Sequence, residues 1–326
     1  MKKLLLLFIP LLLWNCETNP PITPINPIVE YGTIQVLSNV ADAKIFIDGN
    51  DTGKLSPDTI TATAGDHIIE LRKDGYDVAK QNIIVIKNQS TEIDFKLLAT
   101  DKIVLIEDFA NVSCVPCVTS NKILEQLTNH TFGRNKIVAI KYPTNFPSPV
   151  DPFFLANGPD CNARMSYYSI ILAPTNIVGG QLRPIPSDSN DVKEKIYSEL
   201  SEIPQFIVDV QSTISSNNYN INISVEVKDV SNLDFSKLLL HTVVTETDIE
   251  FATPPGSNGE TKFYDVMRKM LPDNQGELLT SINQIGTYNF QRQVPINSGW
   301  TQNKLNTVVF IQNKETKEIY QAGSTF

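Results

Sequence analysis

The chain has 326 residues, 41% hydrophobic and 19% charged, with 27 Lys plus Arg against 36 Asp plus Glu and a formal net charge of −9. That length holds two or three domains. An acidic chain with no basic run lacks the electrostatic footprint of nucleic-acid binding, so no nucleic acid is expected as a partner.

Met1-Lys-Lys3 leads into the apolar run Leu4–Leu13. That run is about half the ~20 residues a membrane-spanning helix needs, so residues 1–15 read as an export signal. Leu13-Trp-Asn-Cys16 resembles a bacterial lipobox, which implies cleavage before Cys16 and a lipid anchor on it. Trp14 and Asn15 stand where such signals carry small residues; ordinary secretion with Cys16 lost or free is the alternative. Residues 16–30, with Pro20, Pro21, Pro24 and Pro27, form an extended tether. With Cys16 lipidated three cysteines remain, so one of Cys114, Cys117 and Cys161 is unpaired or meets a partner.

Residues 31–99 are β-rich. Thr33–Val36 and Ala43–Asp48 have strand composition, Gly49-Asn50 supplies a hairpin turn, and Ile93, Phe95 and Leu97 alternate with polar residues. Ala43-Lys-Ile-Phe-Ile-Asp-Gly49, Gly53, Ala64-Gly-Asp-His67 and Lys73-Asp-Gly-Tyr76 together resemble the PEGA domain. The resemblance implies a small all-β spacer or binding module with no catalytic residues. His67 beside its turn is read as structural, since no second metal ligand lies near it.

Residues 100–204 carry the chemistry. Ile103–Ile106 and Ile137–Ile140 are continuous apolar runs, as in strands covered on both faces. Between them Cys114-Val-Pro-Cys117 opens a helix with Ile123, Leu124 and Leu127 on one face. Free N–H groups and the dipole at a helix N-terminus stabilise a thiolate on the first cysteine. The second lies one turn on, and exchange through such a pair needs no cofactor. Val192, Ile196 and Leu200 mark a second helix after Ser187–Asn190. Zinc would need two more ligands, and Cys161, His67, His130 and His241 are isolated singles, so no metal is expected.

This strand, cysteine pair and helix resemble the thioredoxin fold. The resemblance implies a cis Ala173–Pro174 packed against the pair, with the preceding residue offering its backbone to an extended substrate. It also places Asp108, six residues before Cys114, where that family keeps a buried acid that shuttles protons to the second cysteine. Glu107-Asp-Phe109 as a solvent-facing strand end is the equal alternative. Ser113 replaces the usual Trp, and Val115 the usual Gly. The stretch Lys141–Leu172 is long for the fold and is expected to form a lid or to specify a substrate. Cys161 within it is read as a buried free thiol, with a third redox partner or an intermolecular handle as the alternatives.

Residues 205–326 read as a separate antiparallel β-sandwich. Tyr219, Ile221, Ile223, Val225 and Val227 alternate with polar residues, and Leu238–Thr245 and Asn306–Gln312 add strands. His241, in mid-strand, is read as packing. Glu107–Phe109, the cysteine pair, Arg164-Met-Ser-Tyr-Tyr168, Ala173-Pro-Thr175 and Val266-Met-Arg268 together resemble the twenty-eight-kilodalton outer-membrane-protein family. These are thioredoxin-like lipoproteins with a C-terminal β-domain, a resemblance that implies the outer membrane of a Gram-negative envelope.

The expected fold is therefore multidomain: a small all-β PEGA-like domain, a central α/β thioredoxin-like domain and a C-terminal antiparallel β-sandwich domain. The expected function is thiol–disulfide exchange on envelope or surface proteins from a lipid anchor. Cys114 attacks, Cys117 resolves, Asp108 moves the proton and Pro174 docks the substrate. The alternative is a binding or assembly lipoprotein in which Cys114–Cys117 is a structural disulfide. Exchange calls for a Cys114 sulfur that is solvent-accessible at a helix N-terminus and within van der Waals reach of Pro174; a buried sulfur, or Pro174 on the far side of the sheet, would sink the exchange reading.

Overall fold

Strand propensity and two-residue alternation build the first unit from β1 (Tyr31–Ser38), β2 (Lys44–Ile47), β3 (Asn50–Leu55), β4 (Asp58–Thr63), β5 (Gly65–Arg72), β6 (Ala79–Val85) and β7 (Ser90–Phe95). The computed structural model describes residues 28–326; the expected signal, Cys16 and most of the tether lie outside the described residues. Two sheets, β4-β1-β7 and β3-β2-β5-β6, close on a core that includes Ile34, Val36, Ile45, Leu71 and Phe95. The β2–β3 turn is Asp48-Gly49, one residue earlier than the sequence suggests. Both residues have positive φ, 49° and 81°, as a two-residue hairpin requires. Asp48 also accepts from Ile68 N–H at 2.8 Å and pairs with His67 at 2.6 Å, which gives His67 its structural role.

The remainder comprises β8 (Val104–Ala110), α1 (Cys117–Gln126), β9 (Ile137–Pro143), α2 (Pro152–Ala156), α3 (Gly158–Tyr168), β10 (Thr175–Val178) and α4 (Ser189–Leu200). Then come β11 (Phe206–Ser215), β12 (Asn218–Val227), β13 (Leu238–Glu246), β14 (Ile249–Glu250), β15 (Lys262–Phe263) and β16 (Val266–Leu271). β17 (Glu277–Leu278), β18 (Gly286–Pro295), β19 (Leu305–Asn313) and β20 (Ile319–Ser324) complete the chain. α4 starts at the Asp188 cap and buries Val192, Ile196 and Leu200, the expected face. No helix among the described residues is long and apolar enough to cross a membrane.

The boundary expected after residue 204 does not separate two sheets. One sheet runs β10-β8-β9-β16-β13-β19-β20, with Val266 of β16 paired in parallel to Lys141 of β9. It curls until Ile319 N–H donates to Gly179 O at 2.9 Å, and Gly180 passes so close to Lys317 O that a Cβ would sit 1.9 Å from it. A sandwich does form, but it is shared: β11-β12-β18 packs Ile221, Ile223 and Val225 onto Leu240, Val244, Val309 and Ile311 of the long sheet.

The opposite face of β13 and β19 joins β8 and β9 in a core with Cys161, Met165 and Tyr168 of α3. The long stretch Lys141–Leu172 is thus largely a core layer, not a lid. α1 and α4 cover the other side of β8 through Leu124, Ile196 and Leu200. The first unit docks on the α4 end: Tyr76 Oη donates to Ser201 O at 2.9 Å, and Lys136 pairs with Asp77 at 2.8 Å.

Candidate functional site

The cysteine pair sits where β8 hands over to α1, in a turn tied down by buried polar groups. Asn111 donates to Thr144 O at 2.6 Å and Ser148 O at 2.9 Å, and accepts from Ser113 N–H at 2.9 Å. Asp151, which caps α2, accepts from Val112 N–H at 2.9 Å. Burial pushes the Asp151 carboxyl up, against the pull of those backbone donors. Cys114 and Cys117 form a disulfide. α1 begins at Cys117, so Cys114 lies in the turn before it, and Cys117 N–H donates to Cys114 Sγ at 3.2 Å. The Ala173–Pro174 bond is cis, and Ala173 packs with Ala110 against both cysteines.

Asp108 is buried, which decides between the two sequence alternatives: all seven residues of β8 are inside because α1 covers one face and α3 the other. Asp108 shares its face with Ile106 and Ala110, the side of α1 and of the disulfide. It is ion-paired with Lys141, which also donates to Asn121 of α1. Its Oδ1 has no hydrogen-bond partner among the described residues. A cavity of about 30 Å³ lies beside Asp108, Asn121, Lys141 and Asp265, room enough for a water. Sequence reasoning missed Lys141, Asn121 and Asp265, since no local spacing links them.

The expected accessible Cys114 is a correction: the residue is 2% exposed and Cys117 is fully buried. Ala110 and Ala173 pack against the pair, and the loop of residues 251–261 between β14 and β15 bonds the backbone of the turn. Asn258 N–H donates to Val112 O at 3.2 Å and its side-chain amide to Cys114 O at 3.4 Å. Ser257 N–H donates to Ser113 Oγ at 3.3 Å. Glu260 accepts from Asn121 at 2.9 and 3.0 Å and from Asn258 at 2.6 Å, so the loop is fastened to α1 as well.

On the other face of β8, Glu107 is fully buried against Arg164 of α3. Arg164 donates to Glu107 at 2.6, 2.8 and 2.9 Å, Tyr168 Oη donates to Glu107 at 2.6 Å, and Gln312 of β19 donates to Tyr168 Oη at 2.7 Å. This network locks three elements together and stays away from the disulfide. Cys161 is a free buried thiol, and burial pushes its pKa far up, so it is not a nucleophile. No group of three or more metal-ligating side chains occurs among the described residues.

Comparison with known proteins identifies residues 31–101 by the PEGA domain model. No curated protein matches the chain. Among solved structures, HBP35 of Porphyromonas gingivalis is similar with 15% identity over 69% of this chain and 74% of that one, at a TM-score of 0.55. A structural-genomics protein from Agrobacterium tumefaciens aligns at 12% identity over 69% and 95% of the two chains, TM-score 0.45. A domain of the outer-membrane lipoprotein Omp28 from Porphyromonas gingivalis aligns at 16% identity over 38% and 88%, TM-score 0.26. Of these only the first likeness bears on fold, and it bears on fold alone. The chain is thus a β-rich multidomain protein whose residues 31–101 are a PEGA domain.

Proposed function

We propose that the unit around β8, β9, β10, α1 and α4 is thioredoxin-like and exchanges thiols and disulfides on envelope or surface proteins, held at the membrane by a lipid on Cys16. The observation that carries this reading is a disulfide at the junction of β8 and α1, with Ala173 packed on the pair and the buried Asp108 carboxylate on the same face of β8. In the reduced form Cys114 is the attacking thiolate, stabilised by the Cys117 N–H and the helix N-terminus. It attacks a partner disulfide, the partner's S–S bond breaks, and a mixed disulfide forms while the released partner sulfur takes up a proton. Cys117 passes its proton to Asp108, the carboxylate on the same face of β8, and attacks Cys114 Sγ. The partner leaves as a dithiol and two electrons have passed to it. An external dithiol then resets the pair. In this reading Pro174 docks the substrate, and the exposed Ile171 and Leu172 just before it in the chain offer apolar contact to an extended segment.

Cys117→Ser removes the resolving thiol, so the variant incubated with envelope proteins is expected to accumulate Cys114-linked mixed disulfides that dithiothreitol releases. Absence of such adducts, under conditions where a reduced control thiol reacts, counts against exchange. A second reading rests on the burial of Cys114 at 2% exposure, which fails the access that exchange calls for. In it the disulfide is a staple of the α1 turn and the chain is a surface binding or assembly lipoprotein.

A further inference from the structure

We propose that the loop of residues 251–261 is a selectivity strap on the disulfide: it slows folded protein dithiols far more than small thiols, and Asn258 and Glu260 hold it down. This role presupposes the exchange reading above. The strap belongs to the C-terminal half of the chain, yet its hydrogen bonds end on Val112, Ser113 and the Cys114 carbonyl, the backbone of the cysteine turn itself. Gly256 lies flat against that turn: a Cβ there would fall 2.2 Å from Val112 O. Glu260 bridges Asn258 to Asn121 of α1, so the strap is fixed at both the turn and the helix. A protein partner must bring an extended backbone against the cysteine turn, whose Val112 and Cys114 carbonyls the strap already occupies. None of the strap's hydrogen bonds reaches the exposed Val115, Ile171 or Leu172. A reagent of a few atoms needs less of the strap displaced than a folded partner does.

The gated step is reduction of the closed pair. A donor thiolate attacks Cys114 Sγ, the Cys114–Cys117 bond breaks, and Cys117 leaves as a thiolate that takes a proton. The donor's second thiol then attacks the mixed disulfide, leaving two cysteine thiols and an oxidised donor. The bonds made and broken are the same for a small and a protein donor, and each donor's own thiol reactivity is untouched by changes in the strap, so a change in the ratio of their rates reports access.

The test measures reduction of the pair in the full-length protein by dithiothreitol and by reduced thioredoxin. Asn258→Ala/Glu260→Gln weakens the side-chain fastenings to the Cys114 carbonyl and to α1, leaving the backbone bonds of Ser257 and Asn258. Gly256→Ala pushes the strap off Val112 sterically, at a residue whose φ lies outside the left-handed region. Both variants are expected to speed reduction by thioredoxin about tenfold or more and by dithiothreitol less than about threefold. Unchanged rates, or equal gains with both reductants, overturn the strap. The equilibrium potential, measured on the same samples, keeps the two ideas apart. A potential in the range of structural disulfides removes the exchange reading and with it the selectivity role, while a shifted rate ratio still shows that the loop limits access to the disulfide.

Discussion

At the scale of single residues, His241 shows how position decides chemistry. Its ring stacks on Phe310 with centroids 4.8 Å apart, Gly276 covers it, and neither ring nitrogen has a hydrogen-bond partner among the described residues. Burial first, and the Arg164 charge second, hold its pKa well below the usual value, so it is neutral in the folded protein. Unfolded, it titrates near about 6.5. Below that pH the unfolded chain takes a proton the folded one refuses, so this stability is present above about pH 6.5 and is lost as pH falls. His241→Phe is therefore expected to flatten the decline of the unfolding free energy, read from urea melts, between about pH 6.5 and 5 by up to one proton's slope, ~1.4 kcal/mol per pH unit. Identical slopes for the two proteins would contradict this. The sequence placed His241 in mid-strand and assigned it to packing, which its spacing allowed. Asp108 was open, because a carboxylate after an apolar run marks either a strand end or a doubly covered strand.

Elements are joined by buried polar groups that no local pattern announces. Arg164, Glu107, Tyr168 and Gln312 tie α3, β8 and β19 through bonds of 2.6 to 3.1 Å. Removing one partner leaves the other charge uncompensated inside, which costs about 3–5 kcal/mol. Arg164→Met is expected to lower unfolding stability by that amount, and Arg164→Met/Glu107→Gln to restore most of it, as read from denaturant melts. A double variant as weak as the single one would show that the guanidinium matters through packing alone. The helix of residues 189–200 was legible from its four-residue repeat and acidic cap. The strap was not: Pro254, Pro255 and Gly256 signal a loop, but where a loop docks depends on a surface assembled by distant residues.

Over the whole molecule, the division into a PEGA module and a larger body was readable from glycine spacing, alternation and turns. The separate third domain was not correct, and one signal pointed the other way. Tyr219–Val227 alternates, as a strand with one wet face does, whereas Leu238–Val244 and Thr307–Ile311 are nearly continuous apolar runs. Such runs belong to strands covered on both sides, and β13 and β19 do lie between α3 and β11-β12-β18. The long sheet thereby brings the C-terminal half alongside the cysteine turn and delivers the strap to it. A two-cysteine site built by one half of the chain is closed by the other.

The central claim is that Cys114–Cys117 exchanges electrons with partners, and its reduction potential tests that most directly. Full-length protein equilibrated in glutathione and dithiothreitol buffers is expected to give a value between about −120 and −270 mV, the span of working oxidoreductases, with exchange onto a model disulfide. A potential below about −300 mV with slow exchange would contradict the claim and leave the pair as a structural staple.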